Sequence, residues 1–155
     1  MAAITPKITP FLWFDDQAEE AINFYCSIFK DSKILSKIPG PNGTIMGATF
    51  QLAGQTLQAL NGGPQFKFTE AISLFVSCET QSEIDELWTK LTAGGQESRC
   101  GWLKDKYGLS WQIVPPILGQ LLSDRDRTKA NSVMNAMLKM NKLDIAVLKA
   151  AYNNT

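Results

Sequence analysis

Two glutamines fall at matching places in this chain. Gln58 and Gln112 each lie four residues after a glycine that suits a hairpin turn, Gly54 and Gly108. A primary amide carries both donors and an acceptor, so such a pair could orient a carbonyl or hydroxyl of a small ligand. The other use open to them is to bond each other or water. Phe50 and Trp102 offer flat apolar surface on which such a ligand could stack. Trp111 precedes Gln112, and strand alternation sends it to the opposite face, toward a core. Lys104 and Asp105 stand before a turn and read as a solvated pair. Histidine is absent, which removes any Ser-His-Asp, Cys-His or His-metal arrangement within one chain. Cys26, Cys78 and Cys100 are widely spaced, with no C-x-x-C pair for zinc or redox exchange. They read as reduced, mostly buried thiols. Cys100 has Arg99 beside it, and a neighbouring cation favours thiolate.

The 155 residues suit one domain, and 45% apolar content is a globular value. Fifteen Lys and Arg balance fifteen Asp and Glu, leaving no basic footprint for nucleic acid or a membrane surface. The first residues lack the basic patch and apolar run of a secretory signal. No apolar stretch approaches the ~20 residues that span a bilayer. A cytoplasmic protein without nucleic-acid or membrane partners is therefore expected.

Ile8 to Phe14 reads as a strand. Asp16 and Glu19 then open a helix whose Ala18, Ala21, Ile22, Tyr25, Ile28 and Phe29 form one apolar face up to Lys30. Lys33 to Ile38 is a strand ended by Pro39-Gly40-Pro41-Asn42-Gly43, where Asn-Gly is a strong turn signal. Thr44 to Leu52 and Gln55 to Leu60 make a hairpin across Ala53-Gly54, and Asn61-Gly62-Gly63-Pro64 breaks the chain. The order then repeats. Ala71 to Cys78 is a strand with Ser73, Phe75 and Ser77 on one side. Thr80-Gln81-Ser82-Glu83 is a capping box for a helix through Ile84, Leu87, Trp88 and Leu91, which Gly94-Gly95 stops. Short extended pieces run from Glu97 to Lys104, and Leu109 to Val114 is the last strand, ended by Pro115-Pro116.

A shift of 63 lays Ala21, Phe24, Tyr25 and Ile28 on Ile84, Leu87, Trp88 and Leu91, and a shift of 54 lays Gly54 and Gln58 on Gly108 and Gln112. The pattern predicts an internal duplication, with the difference in length taken up by a longer loop around Pro39 to Gly43. Two β-α-β-β-β units, residues 1–64 and 65–118, would form one domain with a trough inside and helices outside. Residues 119–155 extend that domain. After the charged joint Ser123 to Arg127, Ala130, Val133, Met134, Met137 and Leu138 mark one helix and Leu143 to Tyr152 another. These helices either cap the sheet or clasp a partner.

The duplicated order, with a helix carrying Phe24-Tyr25, resembles the vicinal oxygen chelate superfamily, the glyoxalase/bleomycin resistance/dihydroxybiphenyl dioxygenase group. Three stretches resemble its PhnB-like branch, often labelled demethylubiquinone 3-methyltransferase. They are Phe11 to Asp15 with Ala21 to Tyr25; Leu60 to Pro64 with Ala71 to Leu74; and Gly101 to Pro115. The tail from Val133 to Ile145 fits the same branch. The resemblance implies an α+β fold of two modules making a half-barrel trough, and a homodimer.

Superfamily enzymes hold a divalent metal with His and Glu from four strands. By position those places look like Pro10, Gln58, Ser73 and Gln112. Proline has no side-chain donor, and serine and glutamine are weak neutral ligands where a transition metal wants imidazole, thiolate or carboxylate. The sequence thus points to no metal and no cofactor. It points to a small-molecule binding protein with Gln58, Gln112, Ser73, Phe50 and Trp102 around an unidentified ligand. The alternative is an enzyme, either lyase- or dioxygenase-like with unusual ligands or the methyltransferase of the label. Against the latter, no G-x-G-x-x-G turn of the kind that cradles a nucleotide occurs in the chain.

Overall fold

A computed structural model describes residues 6–155. The chain separates into two compact units, one ending at Lys67 and the other beginning at Phe68.

The first unit runs β1 (Phe11–Phe14), α1 (Ala18–Ile28), β2 (Lys33–Pro39), β3 (Ile45–Leu52) and β4 (Gln55–Asn61). Its open four-stranded sheet has the order β1-β4-β3-β2, with β1 parallel to β4 and the other pairs antiparallel. Ala18, Ala21, Ile22 and Tyr25 recur at helical spacing and are all buried. Leu12 and Phe14 of β1, Phe50 of β3 and Leu57 and Ala59 of β4 are buried with them. Full burial of each large apolar side chain contributes roughly 1.5–3 kcal/mol. The start of α1 differs from expectation. Gln17 holds the cap position without a side-chain cap bond, and the Ala18 amide instead donates to Asn61 Oδ1 at 2.8 Å. Asn61 also donates from Nδ2 to the Ile45 carbonyl at 3.1 Å. A residue that reads as a chain breaker thus ties α1, β3 and β4 together.

Both hairpins turn on two residues with positive φ, the geometry that matches the twist of the flanking strands. Asn42 and Gly43 take φ 57° and 77°, and Thr44 N donates to Pro41 O at 3.1 Å. Ala53 and Gly54 take φ 46° and 87°, between Leu52 and Gln55 paired in register. The Ala53 amide is held by Ser32 Oγ at 3.0 Å.

The second unit repeats the order with β5 (Leu74–Ser77), α2 (Gln81–Thr92), β6 (Gln96–Glu97), β7 (Trp102–Lys104) and β8 (Ser110–Val114). Its open sheet runs β5-β8-β7-β6, again with the first pair parallel. The identical strand order establishes the duplication. The capping box forms: Thr80 Oγ1 accepts from Glu83 N at 3.2 Å, and Glu83 Oε2 accepts from Glu79 N at 3.2 Å. The extra length of the first unit does not lie in a loop. It lies in β2 and β3, which have 7 and 8 residues where β6 and β7 have 2 and 3.

Three helices follow: α3 (Pro116–Leu122), α4 (Arg127–Met137) and α5 (Ile145–Asn153). The first was not expected, because Pro115-Pro116 reads as an ending. Proline is tolerated in the first turn of a helix, where its missing N–H has no partner to lose, and Pro116 sits there. The tail packs within the second unit. Val114, Leu118, Val133, Leu143 and Leu148 form a buried cluster, with Met137, Met140 and Tyr152 against it. Gln81 of α2 clamps the entry to α5, donating to Leu143 O at 3.0 Å and accepting from Ile145 N at 2.8 Å. No helix among the described residues is long and apolar enough to cross a membrane.

Candidate functional site

The second unit assembles the clearest group. Successive residues of β8 alternate faces. Trp111 and Ile113 are buried, while Gln112 is half-buried on the other face. Gln112 stands opposite Phe75 on β5 and opposite Trp102 on β7. The three therefore form one row across the sheet, aromatic on either side of the amide. Phe75 is 60% exposed. Ser73, just before β5, accepts from Gln112 Nε2 at 2.9 Å. That bond fixes the amide plane and leaves its carbonyl oxygen as the free end. Ser73, Gln112 and Trp102 are thus brought together as their sequence positions suggest. Phe75 is the member that site reasoning left out, although its alternation with Ser73 and Ser77 already put it on that face.

The first unit repeats the row in part. Gln58 of β4 is half-buried and stands opposite Phe11 of β1 and Thr49 of β3. Phe11 is 55% exposed. Phe50 belongs elsewhere. It pairs with Leu57, one step from the Thr49–Gln58 pair, so pleating turns it to the opposite face, where it is fully buried in the core. The expectation that Phe50 shares a ligand face with Gln58 is corrected on that ground. Pro10 is corrected by one residue as well. Phe11 and Phe75 are the register partners of Gln58 and Gln112, so the counterpart of Ser73 is Thr9. Pro10 contributes its carbonyl, which accepts from Gln58 N at 2.9 Å.

Asp105 is not half of a solvated pair. It is 2% exposed and accepts from Tyr107 N at 2.8 Å, Leu109 N at 3.1 Å and Trp111 Nε1 at 2.9 Å. It is the peg of the β7–β8 hairpin. Lys104 pairs with Glu70 instead.

The cysteines are free. Burial, aided by the nearby Glu83 charge, pushes the Cys78 thiol up to about 12, and burial also raises Cys26. Cys100 adopts φ 61°. Its sulfur lies 3.7 Å from Met137 O, and the Arg99 guanidinium reaches Leu138 O at 3.4 Å. Both side chains therefore serve the docking of the tail.

Neither unit offers donors that fit a catalytic divalent metal. Thr9 and Gln58 in the first and Ser73 and Gln112 in the second bring neutral oxygens and amides only, where such an ion wants imidazole, thiolate or carboxylate. Among the described residues no group of three or more His, Cys, Asp or Glu is placed to hold one.

Two open sheets of identical strand order, each with its first pair parallel, have the fold of the vicinal oxygen chelate superfamily. A family model described as 3-demethylubiquinone-9 3-methyltransferase matches residues 6–114, and the chain belongs to that family. A PhnB protein from Bacillus cereus is similar in structure with a TM-score of 0.67 and 41% identity, over 71% of this chain and 99% of that one. Protein PA1353 from Pseudomonas aeruginosa shares the fold at a TM-score of 0.59 and 19% identity, covering 72% and 98%. Among curated proteins, Rv0887c of Mycobacterium tuberculosis, itself uncharacterised, is 26% identical over 141 residues, covering 74% of this chain and 76% of its own length.

Proposed function

We propose that this chain is a small-molecule binding protein that works without a bound metal. Its ligand is a flat, polar molecule seated on the sheet of the second unit between Phe75 and Trp102, with Gln112 as the orienting contact. The observation that carries this reading is the Gln112–Ser73 bond. It presents a fixed carbonyl acceptor between two aromatic side chains in one register row. Pockets that bind small molecules combine such apolar walls with a few placed polar groups. Gln58 beside Phe11 is the corresponding contact of the first unit, and Thr9 the corresponding hydroxyl.

The methyl transfer in the family's description is the second reading, and it has that description for support. The residues do not fit a Rossmann-type S-adenosylmethionine site. β1 passes to α1 through Asp15-Asp16-Gln17, with no glycine-rich turn. A homodimer, implied by the resemblance, is part of the proposal; sedimentation as a single species of monomer mass at micromolar concentration would overturn that part.

The test uses benzamide and phenol, whose N–H and O–H suit the Gln112 carbonyl. Saturation-transfer NMR should show both binding to the wild type. Gln112→Ala should weaken both by about fivefold or more, the loss of one hydrogen bond, with little change in melting temperature. No binding to the wild type, or equal binding to the variant, would overturn the reading.

A further inference from the structure

A cleft of about 140 Å³ opens in the second unit, lined by Glu70, Glu97, Ser98, Trp102, Lys104 and Ser110 among others. It shares Trp102 with the Gln112 row. Ser110 lies two residues before Gln112 on the same face of β8, opposite Lys104. Ser110 is 1% exposed, and its hydroxyl is the one buried side-chain polar atom among the described residues with no hydrogen-bond partner. A buried hydroxyl left unpaired is costly, and native proteins rarely keep one without a use.

Three charged groups line the cleft. Glu97 is already engaged, accepting from Trp88 Nε1 at 2.6 Å. Lys104 is the cation, and its ammonium holds the carboxylate of Glu70. Glu70 sits on the connector between β4 and β5, which has no strand or helix of its own, and it is largely exposed. The Lys104 ammonium holds the Glu70 carboxyl below the usual carboxylate range, so the group is anionic at neutral pH. Exposed ion pairs of this kind are weakly held and readily exchanged.

We propose that this cleft receives the carboxylate of a small aromatic acid, and that Glu70 occupies the carboxylate's place until the ligand arrives. The incoming carboxylate takes Glu70's position on Lys104 and accepts a second hydrogen bond from the Ser110 hydroxyl. The ring lies against Trp102, toward Gln112. The volume suits this division. At ~30 Å³ per water the cleft equals roughly four or five waters, room for a carboxylate together with part of a ring. The inference rests on the small-molecule reading above and names the class of ligand.

The test compares benzoate with its neutral analogue benzamide, titrated into the full chain at fixed ionic strength. Benzoate should bind about tenfold more tightly or better, as expected for hydrogen bonds to a charged group. Glu70→Gln should tighten benzoate severalfold by removing the internal competitor, with benzamide unchanged. Ser110→Ala should weaken benzoate about tenfold, while its urea midpoint holds or rises because an unpaired buried hydroxyl has gone. Lys104→Met should abolish the preference for benzoate. Equal affinity for the two probes, or a Glu70→Gln protein with unaltered benzoate affinity, would overturn the proposal. Benzamide binding that still depends on Gln112 would then leave the small-molecule reading standing; failure of both probes on the wild type would end both.

Discussion

Asp105 shows how one residue's role depends on what surrounds it. In sequence it stands beside Lys104 before a turn and looks solvated. In the fold its two oxygens collect two backbone amides and the Trp111 indole, away from water. Asp105→Ala would take this acceptor from all three donors. At ~1–3 kcal/mol for an orphaned group, partly relieved by relaxation, a loss of about 2–4 kcal/mol is expected. Asp105→Asn retains a carbonyl acceptor and should cost less. Urea denaturation of both variants, monitored by tryptophan fluorescence, checks the order.

Turns and clamps decide the elements. Asn42-Gly43 and Ala53-Gly54 adopt the same kind of turn, yet only the first has the preferred residue at its leading position. An alanine at φ 46° has its Cβ crowded against the following carbonyl, a strain asparagine tolerates better. Ala53→Asn should therefore stabilise the first unit by about 0.5–1 kcal/mol, seen as a higher melting temperature. At the tail, Tyr152 of α5 donates to Asp124 Oδ2 at 2.7 Å. That bond holds the Asp124 carboxyl below its usual range and the Tyr152 phenol above its own. The depressed Asp124 contributes stability above the unfolded value of ~3.9, lost as pH falls through the lower folded value. The raised Tyr152 contributes below ~10, lost as pH rises through the higher folded value. The difference in urea midpoint between wild type and Tyr152→Phe should be constant from about pH 4 to 10 and shrink on either side.

For the whole molecule, the asymmetry between the duplicated units matters. Among the described residues, the first buries its sheet with one α-helix. The second adds three, joined to it through Val114, Leu118, Val133, Leu143 and Leu148. The tail is thus part of that unit's core. Leu148→Ala should cost about 2–5 kcal/mol. Hydrogen exchange should show the loss in α3 to α5 and β8, with protection over residues 45–61 unchanged.

Periodicity and turn chemistry are local, and they were legible. The apolar spacing of α1 and α2, the Thr80 cap, the Asn-Gly turn and the duplicated order all follow from neighbours a few residues apart. So did the meeting of Ser73, Gln112 and Trp102, because alternation along each strand was right and the hairpin carried the register. Phe50 was misplaced because its face depends on which residue of β4 it opposes, and a single step of register reverses the answer. Asn61 as a helix cap, Pro116 as a helix start and Asp105 as a buried peg rest on what the surrounding chain makes of each residue. The unpaired hydroxyl of Ser110 belongs to the same kind. Composition and spacing determined the two modules, the missing histidine ligands and the glutamines' places. Tertiary structure alone decided the long-range partners, such as Asn61 for the start of α1 and Gln81 for the start of α5, because those hydrogen bonds join groups that folding brings together from distant parts of the chain.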